Sequence, residues 1–164
     1  IRGKQSLIHS FWKNIGRSTG SVMTETGPVS CVKTKGDEPS IPKHLYTSDY
    51  FKEMRAYAEQ HHDDWWILSA KHGLLDPDGD PVEPYDETLS GARKATKQEW
   101  SEEVARQLDE QGLLSEDVTL VLHAGKDYYE ELLPQIEESE VTIEIPTEGM
   151  YIGERLSWYR ERTS

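Results

Sequence analysis

The run Trp65-Trp66-Ile67-Leu68 leaves this chain few folds to choose from. Successive side chains of an extended strand point to opposite faces, so four large apolar residues in a row need cover on both sides. Short apolar runs recur at 29–32, 118–122 and 141–145. Between them the pattern changes to a helical period. Phe51, Met54 and Ala58 follow Ser48, a suitable N-cap. Trp100, Val104 and Leu108 form one stripe of a helix over 96–111, which Gly112 stops. A third helix reads over 127–138, kinked or broken by Pro134, and a last one over about 153–160. The segment 69–89 holds Gly73, Asp76-Pro77, Asp78-Gly79, Pro81 and Pro84 and reads as a long loop. The order β-α-β-α-β-α-β-α predicts an α/β fold in three layers: a mostly parallel, four-stranded sheet with helices on both faces.

The 164 residues suit one domain. Five Trp and eight Tyr supply enough aromatic area to argue against disorder. The single cysteine, Cys31, excludes an internal disulfide and a multi-Cys zinc site. A P-loop, GxGxxG, GxSxG and HExxH are all absent, so the common nucleotide-hydrolase, lipase and zinc-protease readings fall away. No metal and no cofactor is expected. No apolar run approaches the ~20 residues of a membrane span, so the expectation is a soluble, cytoplasmic protein without a membrane partner.

Acids outnumber bases 31 to 18, for a net charge of −13. Residues 1–22 carry Arg2, Lys4, Lys13 and Arg17 and no acid, so this arm is +4 and the domain over 23–164 is −17. Met23 opens the acidic part and reads as a start, with 1–22 an upstream extension. The alternative is a basic arm ordered on nucleic acid or on a protein assembly partner. Leu7, Ile8, Phe11, Trp12 and Ile15 sit there at helix-like spacing. The acids spread through the domain rather than forming a block, which favours a surface adapted to high salt, as in extreme halophiles. In molar salt the Debye length is only ~3 Å, and net charge then says little about partners.

In an open α/β sheet, ligands bind beyond the carboxyl ends of the strands. That rule selects Ser30, Cys31, Lys33 and Lys35, then Ser69, Lys71, His72 and Gly73, then His123, Gly125, Lys126 and Tyr128, then 146–153. Lysines just after buried strands suit a phosphate or carboxylate, helped by backbone amides near Gly73 or Gly125. Lys71-His72 is the sharpest pair, because an imidazole titrates near neutrality; the alternative is a turn-capping His72 beside a solvated Lys71. Tyr85-Asp86 could aim a phenol and a carboxylate at the same mouth, or be a surface turn. Cys31 is a nucleophile or, more commonly, a small packing residue. His123 either meets a ligand or satisfies a buried carbonyl. His61-His62-Asp63-Asp64 reads as a solvated helix end rather than a metal site.

Val29-Ser-Cys-Val-Lys-Thr-Lys35, Leu45-Tyr-Thr-Ser48 with Phe51, the stretch from Ile67 through Lys71-His72-Gly73 to Pro77, and Glu83-Pro-Tyr-Asp-Glu-Thr-Leu89 carry a resemblance. The chain resembles, over about 29–158, an uncharacterised family of small proteins of bacteria, archaea and phages, a domain of unknown function. The central 69–89 block is the specific part. It is more distantly similar to the YaaA peroxide-stress family and to the core of archaeosine synthase. Those likenesses imply a uracil-DNA-glycosylase-like architecture and a link to nucleic acid or modified bases. The chain departs from YaaA in lacking its helix-hairpin-helix element. It also lacks the water-activating Asp-Pro-Tyr motif of uracil-DNA glycosylases in its usual place, so the resemblance implies the fold and not glycosylase activity.

Two functions follow as expectations. The first is an enzyme acting on a nucleobase, nucleotide or modified nucleic acid. In it, the 30–35 and 125–128 loops hold phosphate or base edges and Tyr46 or Tyr85 stacks on the base. Lys71, His72 and Asp86 then supply acid–base or electrostatic help. The second is a non-catalytic binding or assembly module tethered through 1–22.

Overall fold

The computed structural model describes residues 23–32 and 35–163. The basic segment 1–22, with both readings of it, and Lys33 lie outside the described residues. The strands are β1 (Thr24–Ser30), β2 (Asp64–Ser69), β3 (Gly73–Leu75), β4 (Val118–Val121) and β5 (Thr142–Glu144). The helices are α1 (Pro42–Leu45), α2 (Asp49–His61), α3 (Lys94–Glu110), α4 (Lys126–Tyr129), α5 (Leu132–Ile136) and α6 (Ile152–Arg162).

The sheet has five strands in the order β3-β2-β1-β4-β5, not the four expected. The extra strand is β3, which pairs antiparallel with β2 through Ser69↔Gly73 and Ile67↔Leu75. It lies inside the segment that reads as loop, where glycine and proline mask a three-residue strand. The other pairings are parallel: β1 on β2 from Thr26↔Asp64 to Ser30↔Leu68, β1 on β4 from Thr24↔Val118, and β4 on β5. β1 also starts earlier than the apolar run at 29–32. Its first half is polar, and it runs through Gly27-Pro28. Pro28 has no N–H to give to β4, and the continuous β1–β4 ladder stops at Thr26. Its carbonyl still accepts from His123 N at 2.8 Å, and a single bridge, Val29↔His123, resumes the pairing.

The connection β1-α2-β2 steps to one side of β1, whereas β4-α4-α5-β5 steps to the other. Right-handed crossovers therefore put α2 and α4–α5 on opposite faces. α2 packs on β1, β2 and α6; α3 packs on β3, α4 and α5. All six residues of β2 are buried between these layers, as its sequence requires. Ser48 caps α2 by accepting from Phe51 N at 3.1 Å. Gly112, at φ +74, closes α3 with paired bonds from Gly112 N to Asp109 O and from Leu113 N to Leu108 O. The expected helix over 127–138 is broken into α4 and α5, and Pro134 sits in the first turn of α5, where its missing N–H costs nothing.

Candidate functional site

β1 is followed by β2 on one side and flanked by β4 on the other, so the strand order reverses between β1 and β4. Beyond their carboxyl ends lies the crevice where ligands bind in sheets of this kind. A cleft of about 540 Å³ opens there. Ser30 and Cys31 line it from the end of β1, Gly125, Lys126, Asp127 and Tyr128 from the end of β4, and Tyr50 and Arg155 from helices α2 and α6. Ser48, Thr88 and Ser90 add hydroxyls to the rim.

Arg155 roofs the β4 turn. A Cβ added to Gly125 would stand 2.7 Å from Arg155 Nη1, so a side chain there would push the guanidinium out of its present position. The guanidinium carbon lies 5.7 Å from the centre of the Tyr50 ring. Burial raises the Tyr50 pKa and the Arg155 charge partly offsets that. Arg155 Nε is buried without a hydrogen-bond partner, and Arg155 forms no ion pair among the described residues. Asp127, by contrast, is engaged by Lys97 Nζ at 2.6 Å. Lys126 is largely exposed and reaches Glu130 at 3.6 Å. At the cleft floor Cys31 Sγ lies 3.3 Å from the Tyr128 hydroxyl and receives Ala70 N–H at 3.4 Å. Burial first, and then Cys31, hold the Tyr128 pKa well above the usual phenol range, so it is a neutral hydroxyl.

A second cluster forms around Tyr85, beside the cleft and not lining it. Ser69 Oγ accepts from Lys71 N and His72 N and donates to the Tyr85 hydroxyl at 2.7 Å. The Tyr85 hydroxyl meets the Tyr46 hydroxyl at 2.6 Å. Lys35 Nζ stands 4.4 Å from the centre of the Tyr85 ring and donates to Val32 O, while His72 meets the ring edge-on at 5.6 Å. Tyr46, Ser69 and Tyr85 are buried, and burial drives both phenols' pKa values far up. The two tyrosines are thus a hydrogen-bonded hub in the core rather than open stacking surfaces. Lys71, His72 and Asp86 are exposed and do not line this cleft. Partial desolvation of the ring against Tyr85, then the Lys71 charge, lower the His72 pKa. Gly73 is a hairpin residue at φ +76 against Gln107.

His123 is wholly buried and turned from the crevice into a third network. Its Nε2 lies 2.7 Å from His62 Nε2 and its Nδ1 2.7 Å from the Tyr159 hydroxyl; His62 Nδ1 lies 2.6 Å from Glu25 Oε2. A carboxylate only accepts, so His62 donates from Nδ1. When its Nε2 accepts from His123, whose Nδ1 accepts from Tyr159, each donor in this network meets an acceptor. Burial, then His62 and His61, push the His123 pKa down to about 3. His62, read from sequence as part of a solvated helix end, keeps only 2% of its side chain exposed because Gly27 leaves a slot for its ring.

The structure therefore gathers Ser30, Cys31, Gly125, Lys126 and Tyr128 at one cleft, as strand ends imply. It adds Tyr50 and Arg155, which helices deliver and which no strand-end rule reaches. Among the described residues no group of three or more His, Cys, Asp or Glu converges to hold a metal ion, and no helix is long and apolar enough to cross a membrane.

A family model described as a family of unknown function (DUF6884) matches residues 28–161. The chain is also similar to the uncharacterized protein YfjM of Bacillus subtilis (strain 168), with 35% identity over 90 residues, 55% of this chain and 58% of the relative. The match thus spans little more than half the length of that relative. No solved structure matches.

Proposed function

The chain belongs to the family of unknown function DUF6884, and we propose that it is an enzyme that binds and processes a nucleobase or nucleotide in the β1–β4 crevice. The observation that carries this reading is Arg155. Its Nε is buried without a partner, and it forms no ion pair among the described residues of a chain in which acids outnumber bases 31 to 18. A half-buried guanidinium without a carboxylate is costly unless an anion joins it, and its planar fork matches a phosphate. Lys126 adds a second positive charge. The half-buried Tyr50 ring stands beside Arg155 at the cleft wall, and the volume of about 540 Å³ suits a nucleotide.

The distant likeness of the 69–89 block to the YaaA family and the archaeosine synthase core supports nucleobase chemistry. A uracil-DNA-glycosylase-like architecture is part of the same proposal. The reacting groups are assigned to Cys31 and Tyr128 rather than to the exposed Lys71, His72 and Asp86.

Calorimetric titration with nucleoside monophosphates tests binding on wild type and Arg155→Ala. Wild type is expected to bind, and the variant to lose about tenfold or more at unchanged melting temperature, the scale of a charged hydrogen bond. Equal affinity in the two proteins overturns the reading. Chromatography of the ligand after incubation separates enzyme from module. A changed product that Cys31→Ser fails to make supports catalysis, and an unaltered ligand moves the protein to the binding class.

A further inference from the structure

We infer that the ligand is a phosphodiester carrying a nucleoside on each side of its phosphate; this deepens, and rests on, the nucleotide reading. The crevice has two lobes. Beside the first lies a second of about 320 Å³ over the ends of β4 and β5, and Gly125, Lys126 and Arg155 line both. The guanidinium, with no carboxylate partner among the described residues, is therefore the saddle between two cavities, where a phosphate bound to it would send substituents both ways.

The residues that open α6 fit the same division. Tyr151 lines the smaller lobe and Ile152 the larger, and they are 82% and 61% exposed. Large apolar side chains left this open, one at each lobe, are unpartnered surface beside a cation. Arg155 lies one helical turn on, at i+4 and i+3, so it shares their face. An exposed tyrosine ring next to a phosphate-binding cation is a platform on which a base stacks. The first lobe takes one nucleoside beside Tyr50, and the second takes the other on Tyr151.

Charge and shape predict opposite preferences. A phosphate monoester carries nearly two negative charges at neutral pH and a diester one, so charge alone favours the mononucleotide. Two lobes favour the diester. The test titrates the full chain with a nucleoside monophosphate, a dinucleoside monophosphate and a single-stranded tetranucleotide. The dinucleoside monophosphate is expected to bind about tenfold tighter than the mononucleotide, within the range of one stacked base. Tyr151→Ala is expected to lower it to the mononucleotide's affinity and Tyr151→Phe to restore it. A tetranucleotide that binds as tightly as the dinucleoside identifies a strand as the source, and one that binds worse identifies a free dinucleotide. A dinucleoside that binds no better than the mononucleotide overturns the two-lobe inference and leaves the nucleotide reading standing. Failure of all three to bind overturns both.

Discussion

Gly125 and Arg155 depend on each other. Gly125 has φ −83, which any residue can adopt, so its glycine serves space and not backbone freedom. Gly125→Val is expected to fold with a nearly unchanged melting temperature yet to lose nucleotide binding as Arg155→Ala does, measured by calorimetry beside a thermal melt. Ser69 is the opposite case, a residue whose work is internal. Ser69→Ala removes the acceptor of two backbone N–H groups and the donor to Tyr85. A cost of about 1–3 kcal/mol is expected in urea unfolding, the usual penalty of a buried unsatisfied group.

His123 gives a signed pH dependence. Its folded pKa of about 3 lies below the ordinary 6.5, so between those values the unfolded chain binds the extra proton. Stability from this group is complete above about pH 6.5 and is lost as the pH falls toward about 3, by at most about 1.4 kcal/mol per pH unit. Urea unfolding from pH 7 to pH 4 should show wild type losing more stability than His123→Asn; equal losses would show that the ring titrates freely. At this scale the sequence was only partly legible. Ser30, Cys31, Gly125, Lys126 and Tyr128 are legible as neighbours at one cleft because strand ends converge. Tyr46, Ser69 and Tyr85 carry the same polar groups, but residue type does not reveal that their hydroxyls satisfy one another in the core.

Among the elements, β2, α2 and α3 were legible because each buries a continuous run or a single stripe. β3 was not, since three residues are too few to show alternation. Its existence depends on Gly73, where φ is +76 and a Cβ would stand 2.3 Å from Gln107 Oε1. That oxygen accepts from Leu74 N at 2.7 Å, tying the hairpin to α3. Gly73→Ala is expected to destabilise the protein by about 1–3 kcal/mol through strain at a positive φ and displacement of Gln107. Hydrogen exchange should show the loss concentrated in β3 and the adjoining turn. β1 escaped for a different reason: Thr24, Glu25 and Thr26 are polar, and Gly27-Pro28 imitates a strand boundary. Arg155 escaped because α6 shows only helical periodicity, which says nothing of what its exposed face meets.

At the scale of the molecule, the alternation of strands and helices was enough to predict a largely parallel sheet, and the sheet order then fixed where the crevice lies. Charge acts at this scale too. With −17 carried by residues 23–164 (the net −13 less the +4 of residues 1–22), self-repulsion opposes compaction, and salt screens it. The melting temperature is expected to climb steadily from low salt to molar KCl if the surface is salt-adapted; a flat or falling profile would contradict that. All of these readings meet in one placement: a phosphate at the saddle formed by Arg155. A crystal structure of the full chain with a bound nucleoside monophosphate tests that placement. Phosphate oxygens are expected within hydrogen-bond reach of the Arg155 guanidinium, with the base in the larger lobe. Ligand seated instead at the Lys71–His72 turn, or anywhere that leaves Arg155 untouched, would contradict it.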